Sequence, residues 1–270
     1  MKRSALMFVA LAVFACGDST DPTDVTFGET TFVVLVNPRI NDDNEETPMP
    51  TPGTTQSGVS VAVGGGPSGS TDVNGVVVLG PVTAGAKTIT VGGGQVSVSI
   101  ADKDLREVAV ALNGNTAEVM ANVLYAFGGT VVEISPSMSL TEVNNALSQS
   151  NSIVFFEAGT YTGDLTFSGS NVTLFGEGAQ GGQVTLNGDV TVGGSANRIR
   201  GARITGNLSV PGSSFGMSFT RVSGTFDMAG SGGTLLNNRF CGTATIGGSG
   251  TTLLGNAGLQ PITPVPATGC

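Results

Sequence analysis

An 18-residue period in the second half of the chain constrains the fold more than any other feature. Coils written from Asp189, Asn207, Thr225 and Thr243 run in phase. Their second positions are Val190, Leu208, Phe226 and Ala244, and their fourth are Val192, Val210, Met228 and Ile246. The eleventh positions are Ile199, Met217, Leu235 and Leu253; the sixteenth are Ile204, Val222 and Phe240, then Gly258. Gly194, Gly212, Gly230 and Gly248 hold the sixth position, each followed by a serine. Asp164 to Gly188 reads as an earlier coil with an insertion around Glu177 to Gly182. A fixed period of this size means one structural unit per repeat, each burying its apolar side chains against the next. The apolar positions become inward ladders, with Gly and Ser at the corners. Five or six rungs about 4.8 Å apart make a rod of roughly 25–30 Å, whose ends expose strand edges that need covering.

Ser139-Leu140-Thr141-Glu142 is a capping box, in which hydroxyl and carboxylate each satisfy a free backbone N–H. Leu140, Val143, Ala146 and Leu147 share one face of the helix it starts, which ends near Gln149. That helix would close one end of the stack, and the tail with Pro261, Pro264 and Pro266 the other. Next come Ile153-Val154-Phe155-Phe156-Glu157-Ala158-Gly159-Thr160-Tyr161 and Val172-Thr173-Leu174-Phe175-Gly176-Glu177-Gly178. Together with the helix they resemble the opening of the pectin-lyase-like right-handed parallel β-helix, over residues 137–258. The resemblance implies that handedness and, since many members cleave acidic polysaccharides, a lyase or hydrolase as one functional alternative. Eighteen residues is also the coil length of left-handed hexapeptide helices, but the apolar positions 2, 4, 11 and 16 do not fall six apart.

The first half carries a different pattern. Thr26 to Val36 reads as a strand, and 41–58 as a long acidic, Pro/Thr-rich loop whose carboxylates match no EF-hand spacing. From Val59 to Leu112, alternating apolar residues bounded by Gly, Asn and Asp predict antiparallel strands. Within it, Thr71-Asp72-Val73-Asn74-Gly75 and Val82-Thr83-Ala84-Gly85-Ala86-Lys87-Thr88-Ile89-Thr90-Val91 resemble the carboxypeptidase regulatory-like, transthyretin-like β-sandwich. That resemblance implies a spacer or binding accessory. The expected fold is therefore all-β: an antiparallel β-sandwich (25–113), connecting strands (114–136), a small right-handed parallel β-helix with 18-residue coils and one N-terminal capping helix (137–260), and a tail (261–270).

Residues 1–15 read as a signal peptide: Lys2 and Arg3, then an apolar run too short to span a bilayer of about 30 Å. Val13-Phe14-Ala15-Cys16 resembles a bacterial lipobox, which implies a diacylated Cys16 at the head of a short polar tether (16–24). Gly17, where an Asp would imply inner-membrane retention, favours the outer membrane or cell surface. Cys241 and Cys270 then remain as an even pair in an export compartment, so a bridge between them is expected, the alternative being two free thiols.

The chain holds 20 acids against 11 bases and no His, a net charge of −9. Without a basic footprint it is no nucleic-acid binder. The acidity lies in the first 160 residues; beyond them are four acids, five arginines and no Lys. No Ser-His-Asp or Cys-His set can be built without His, and Asp164, Glu177, Asp189 and Asp227 offer neither a glycosidase pair nor a calcium cluster. No catalytic residue, metal site or cofactor is expected. Gly64-Gly65-Gly66 and Gly92-Gly93-Gly94 lack the Lys and helix of a phosphate loop and read as hairpin turns. The fifteenth coil position holds Arg203, Arg221 and Arg239, an outward column of like charge. It reads either as a solvated stripe or as an anion groove for an acidic glycan or the carboxylates of an envelope partner. The resulting expectation is a non-catalytic, lipid-anchored structural or binding protein of the cell envelope. A polysaccharide-active enzyme and an assembly subunit that stacks through its β-helix ends are the alternatives.

Overall fold

The alternating segments of the first half form strands, joined at their Gly- and Asn-bearing turns. The computed structural model describes residues 29–36, 57–72, 75–126, 130–176, 184–254 and 256–259. The first eight strands are β1 (Thr31–Val36), β2 (Ser60–Val63), β3 (Ser68–Ser70), β4 (Val76–Leu79), β5 (Gly85–Val91), β6 (Gly94–Ile100), β7 (Leu105–Asn113) and β8 (Thr116–Ala126). They make two four-stranded sheets, ordered β4-β1-β7-β8 and β3-β2-β5-β6. Phe32, Val34, Val108 and Val110 of the first meet Val61, Ile89, Val91 and Val98 of the second in a shared core.

One pairing departs from the expected antiparallel sandwich. β1 runs parallel to β7, with Thr31 opposite Leu105 and Val36 opposite Val110. The connection from β1 passes through the whole second sheet before β7, a crossover of the length that parallel pairing requires. The stretch 114–136 supplies two strands with different partners: β8 pairs antiparallel with β7, while β9 (Thr130–Ile134) pairs parallel with β10 (Ser152–Phe156).

Between β9 and β10 lies α1 (Leu140–Leu147), the one helix among the described residues. Its capping box is formed: the Glu142 N–H donates to Ser139 Oγ at 3.3 Å, and the Ser139 N–H donates to the Glu142 carboxylate at 2.8 Å. The Ser139 hydroxyl also donates to that carboxylate at 2.7 Å, and it and the Ser139 N–H hold the Glu142 carboxyl below its ordinary range. After β10 the chain passes through β11 (Gly159–Thr162) and β12 (Leu165–Phe167), and α1 packs its buried Val143, Ala146 and Leu147 against the first turn of the stack.

From here the chain visits three parallel sheets in turn. The first contains β9, β10, Val172–Gly176, Arg198–Arg200, Gly216–Ser218, Thr234–Leu236 and Thr252–Leu254. The second contains β11, Val184–Asn187, Arg203–Ile204, Arg221–Val222 and Arg239–Phe240; the third contains β12, Val190–Val192, Leu208–Val210, Phe226–Met228 and Ala244–Ile246. In the later circuits each residue faces its counterpart one repeat on: Ile199, Met217, Leu235 and Leu253 stack in one file, Leu208, Phe226 and Ala244 in another. The circuit from Asp164 to Asp189 takes 25 residues rather than 18, and its surplus falls around 177–183, outside the described residues. The inward files form one apolar core closed by α1 at its start.

Two further columns set the residue choice at the corners. A Cβ on Gly194, Gly212, Gly230 or Gly248 would fall on the carbonyl oxygen of the glycine one circuit earlier. No larger residue lets the turns stack at strand spacing. At another corner the side chains of Asp164, Asp189 and Asn207 each accept the backbone N–H of the residue one rung on, at 2.8–2.9 Å. A buried ladder runs the other way: the side chains of Asn238 and Asn256 accept the N–H groups of Thr220 and Asn238, one rung back, at 3.0 Å.

The sandwich and the stack share a seam. Val33, Leu35, Leu105, Ala109, Val123 and Tyr125 of the β4-β1-β7-β8 sheet form one cluster with Ile153, Phe175, Phe219, Leu236 and Leu254 of the stack. This sheet is covered on both faces, which accounts for β1 being buried at every position and reading as an unbroken apolar run.

Candidate functional site

Because side chains alternate across a strand, the neighbour of each inward Ile204, Val222 and Phe240 faces out. Those neighbours are Arg203, Arg221 and Arg239, which lie directly opposite one another in the second parallel sheet. Strand spacing puts successive residues of the file about 4.8 Å apart. Thr160 and Thr185 continue the same file toward β11, and Ala257 bridges to Arg239 at the other end. Arg203 is exposed, while Arg221 and Arg239 are half-buried. Burial, then the flanking Arg203 and Arg239, pull the Arg221 guanidinium below its ordinary pKa. Like charges stacked in register repel one another. Beside it run Asn187, Thr205 and Ser223, with the Thr205 hydroxyl donating to Asn187 Oδ1 at 3.0 Å. The face is a strip of guanidiniums edged by hydroxyls and an amide.

Cys241 closes that neighbouring file and is disulfide-bonded. Its expected partner Cys270, and the lipidation candidate Cys16, lie outside the described residues. Of the carboxylates weighed for catalysis, Asp164 and Asp189 accept backbone N–H groups along the corner ladder, and Glu177 lies outside the described residues. Asp227 points outward from the third sheet, opposite Ser209 and Thr245. Among the described residues no group of three or more His, Cys, Asp and Glu is placed to hold a metal ion, and no helix is long and apolar enough to cross a membrane.

The most perturbed chemistry lies in the seam, where sequence reasoning placed nothing. Arg200 and Glu107, 1% and 0% exposed at their side chains, pair through Nε and Oε2 at 3.1 Å. The Ser218 hydroxyl donates to the same Oε2 at 3.4 Å. The guanidinium sits between the rings of Phe175 and Phe219, 5.0 Å from each centroid. Its Nη1 and Nη2 and the Glu107 Oε1 have no hydrogen-bond partner. Burial pushes the Glu107 carboxyl up from 4.5, with Arg200 acting against it. Burial first, and Glu107 second, push the Tyr125 hydroxyl up as well. The sequence signal was a break in a file: Phe155, Phe175, Leu236 and Leu254 stand in register with Arg200 and Ser218. A mostly apolar outward file marks a covered face, and a charge within it needs a partner on whatever covers it.

Comparison with family models, with curated proteins and with solved structures finds no match for this chain.

Proposed function

We propose that this is a non-catalytic, lipid-anchored protein of the cell envelope that presents one face of a right-handed parallel β-helix to an acidic glycan or to the carboxylates of a surface partner. The observation that carries this reading is the in-register column Arg203, Arg221 and Arg239. Stacked guanidinium forks match repeating carboxylates, and the hydroxyls beside them suit sugar hydroxyls. The pectin-lyase-like and carboxypeptidase regulatory-like resemblances supply the scaffold in this reading, and the Cys16 lipobox supplies the anchor. A Cys241–Cys270 bridge would tie the tail to the end of the arginine face. The catalytic alternative is weakened by the absence of His and by the ladder roles of Asp164 and Asp189.

A second reading, assembly through the stack ends, is favoured by one observation. Val131, Met138 and Leu140, the exposed large hydrophobics among the described residues, all lie on β9, on α1 or just before it, at the start of the stack.

Binding of polygalacturonate by the wild type and by Arg221→Ala tests the principal reading. Loss of one of three stacked charges should weaken binding about tenfold or more, in line with about 1.5–3 kcal/mol for a hydrogen bond to a charged group. Equal binding by the two proteins removes the glycan reading. A concentration-dependent dimer abolished by Val131→Lys would replace it with assembly. Intact mass of the membrane fraction checks the anchor: residues 16–270 plus acyl chains are expected.

A further inference from the structure

A second cationic feature lies apart from the arginine column, where the edge strand β8 passes the first parallel sheet. A cleft of about 220 Å³ opens there, lined from the sandwich by Arg106 and Asn122 and from the stack by Arg198, Ser214, Gly216 and Thr234. Arg198, Gly216, Thr234 and Thr252 occupy one outward file, and the glycine lets the Arg198 stem lie close against the backbone of the next rung. A Cβ at Gly216 would lie 3.2 Å from Arg198 Cγ and 3.4 Å from Val123 Cγ1, so a side chain there would push the Arg198 stem out of its place in the cleft wall.

Both guanidiniums are held in place, and each keeps donors in reserve. Arg198 Nη1 donates to Asn171 Oδ1 at 3.0 Å and to the Ala196 carbonyl at 2.7 Å. Arg106 uses Nε on Asp104 at 3.3 Å and Nη1 on Asn122 Oδ1 at 3.3 Å. The Nη2 groups of both, and Nε of Arg198, are not used in these bonds. Asp104 offsets one of the two charges, and no acidic residue is among the described residues that line the cleft. Burial lowers the Arg198 pKa, with Tyr125 acting against it and the Arg106 charge adding to it. At this volume the cleft is smaller than the roughly 300–1,000 Å³ of drug-sized pockets and suits one small group.

We infer that the cleft between β8 and the Arg198 file is a binding site for a single oxyanion, held between the guanidiniums of Arg106 and Arg198 and flanked by the Ser214 and Thr234 hydroxyls. The ligand group is a carboxylate or a sulfate. It docks at the seam between the two units rather than along the arginine column, and so does not depend on the glycan reading.

The test is titration of the full chain with sodium malonate and, separately, with sodium sulfate, following the amide resonances of Gly216 and Gly232. Saturable shifts are expected at both glycines. They should weaken at least tenfold in Arg106→Gln and in Gly216→Val, which displaces the Arg198 stem without removing a charge, and stay unchanged in Arg221→Ala. Tighter saturation by malonate marks a carboxylate as the natural group, and tighter saturation by sulfate a sulfate ester. Shifts that rise linearly without saturating, or saturation that survives Gly216→Val, overturn the site.

Discussion

Glycines at turns of the sandwich and glycines at the stacked corners of the repeat do different work. In the sandwich, Gly65 and Gly114 sit at turns with positive φ and open space where a Cβ would go, so they serve backbone conformation. In the stack, Gly212 and Gly230 have no such φ, yet a Cβ on either would strike the carbonyl of the turn one circuit earlier. There the glycine serves packing between repeats. The polar residues divide in the same way. Asp72 in the sandwich bonds the nearby Val76 N–H at 2.8 Å, whereas Asp189 and Asn238 reach a residue one circuit away. A hairpin sheet is specified by neighbours in sequence, and a stack by residues one period apart.

The largest expected effect tests whether these two differently specified units unfold together. Glu107→Ala leaves Arg200 buried between two phenylalanine rings without its carboxylate, a change of about 3–5 kcal/mol toward unfolding. One cooperative urea transition should shift as a whole; an unmoved second transition would show that the seam does not couple the units. The pH dependence has a defined sign. A carboxyl whose folded pKa is raised contributes most below its unfolded value of 4.5 and loses that contribution as pH rises through the folded value. The urea midpoint of the wild type should therefore fall relative to that of Glu107→Gln as pH rises from about 4 to about 8.

A smaller effect sharpens the contrast between the glycines. Gly230→Ala should cost about 3 kcal/mol, because the turns must separate to admit the methyl group. Gly65→Ala should cost only about 1–2 kcal/mol, the penalty of a left-handed conformation in open space. Equal losses in chemical denaturation would refute the division of roles. The smallest effect concerns the start of the stack. Ser139→Ala removes the N-cap of α1 and should lower stability by about 1 kcal/mol, read as a reduced denaturation midpoint.

Much of the stack was legible because its code is periodic. Positions 2, 4, 11 and 16 point inward, the sixth-position glycines stack, and the arginines align, since a fixed period leaves one consistent register. The corner ladder was less visible. Asp189 and Asn207 look like ordinary turn residues until the rung above supplies the N–H they accept. The expected antiparallel sandwich missed the parallel β1–β7 pair because alternation reports which faces are buried and not which strand lies alongside.

By itself, the sequence determined the period, the inward files, the capped helix and the arginine column, all of which rest on local geometry or on residues one repeat apart. Only the tertiary structure decided that the sandwich covers one side of the stack, that Arg200 meets Glu107 across 93 residues, and that Arg106 and Arg198 line one cleft. Contacts of that span depend on how two finished surfaces meet. Burial of Val33, Tyr125, Phe175 and Leu236 drives the docking, and the hydrophobic effect is non-directional. Apolar side chains alone therefore mark that a face will be covered, but not by which residues.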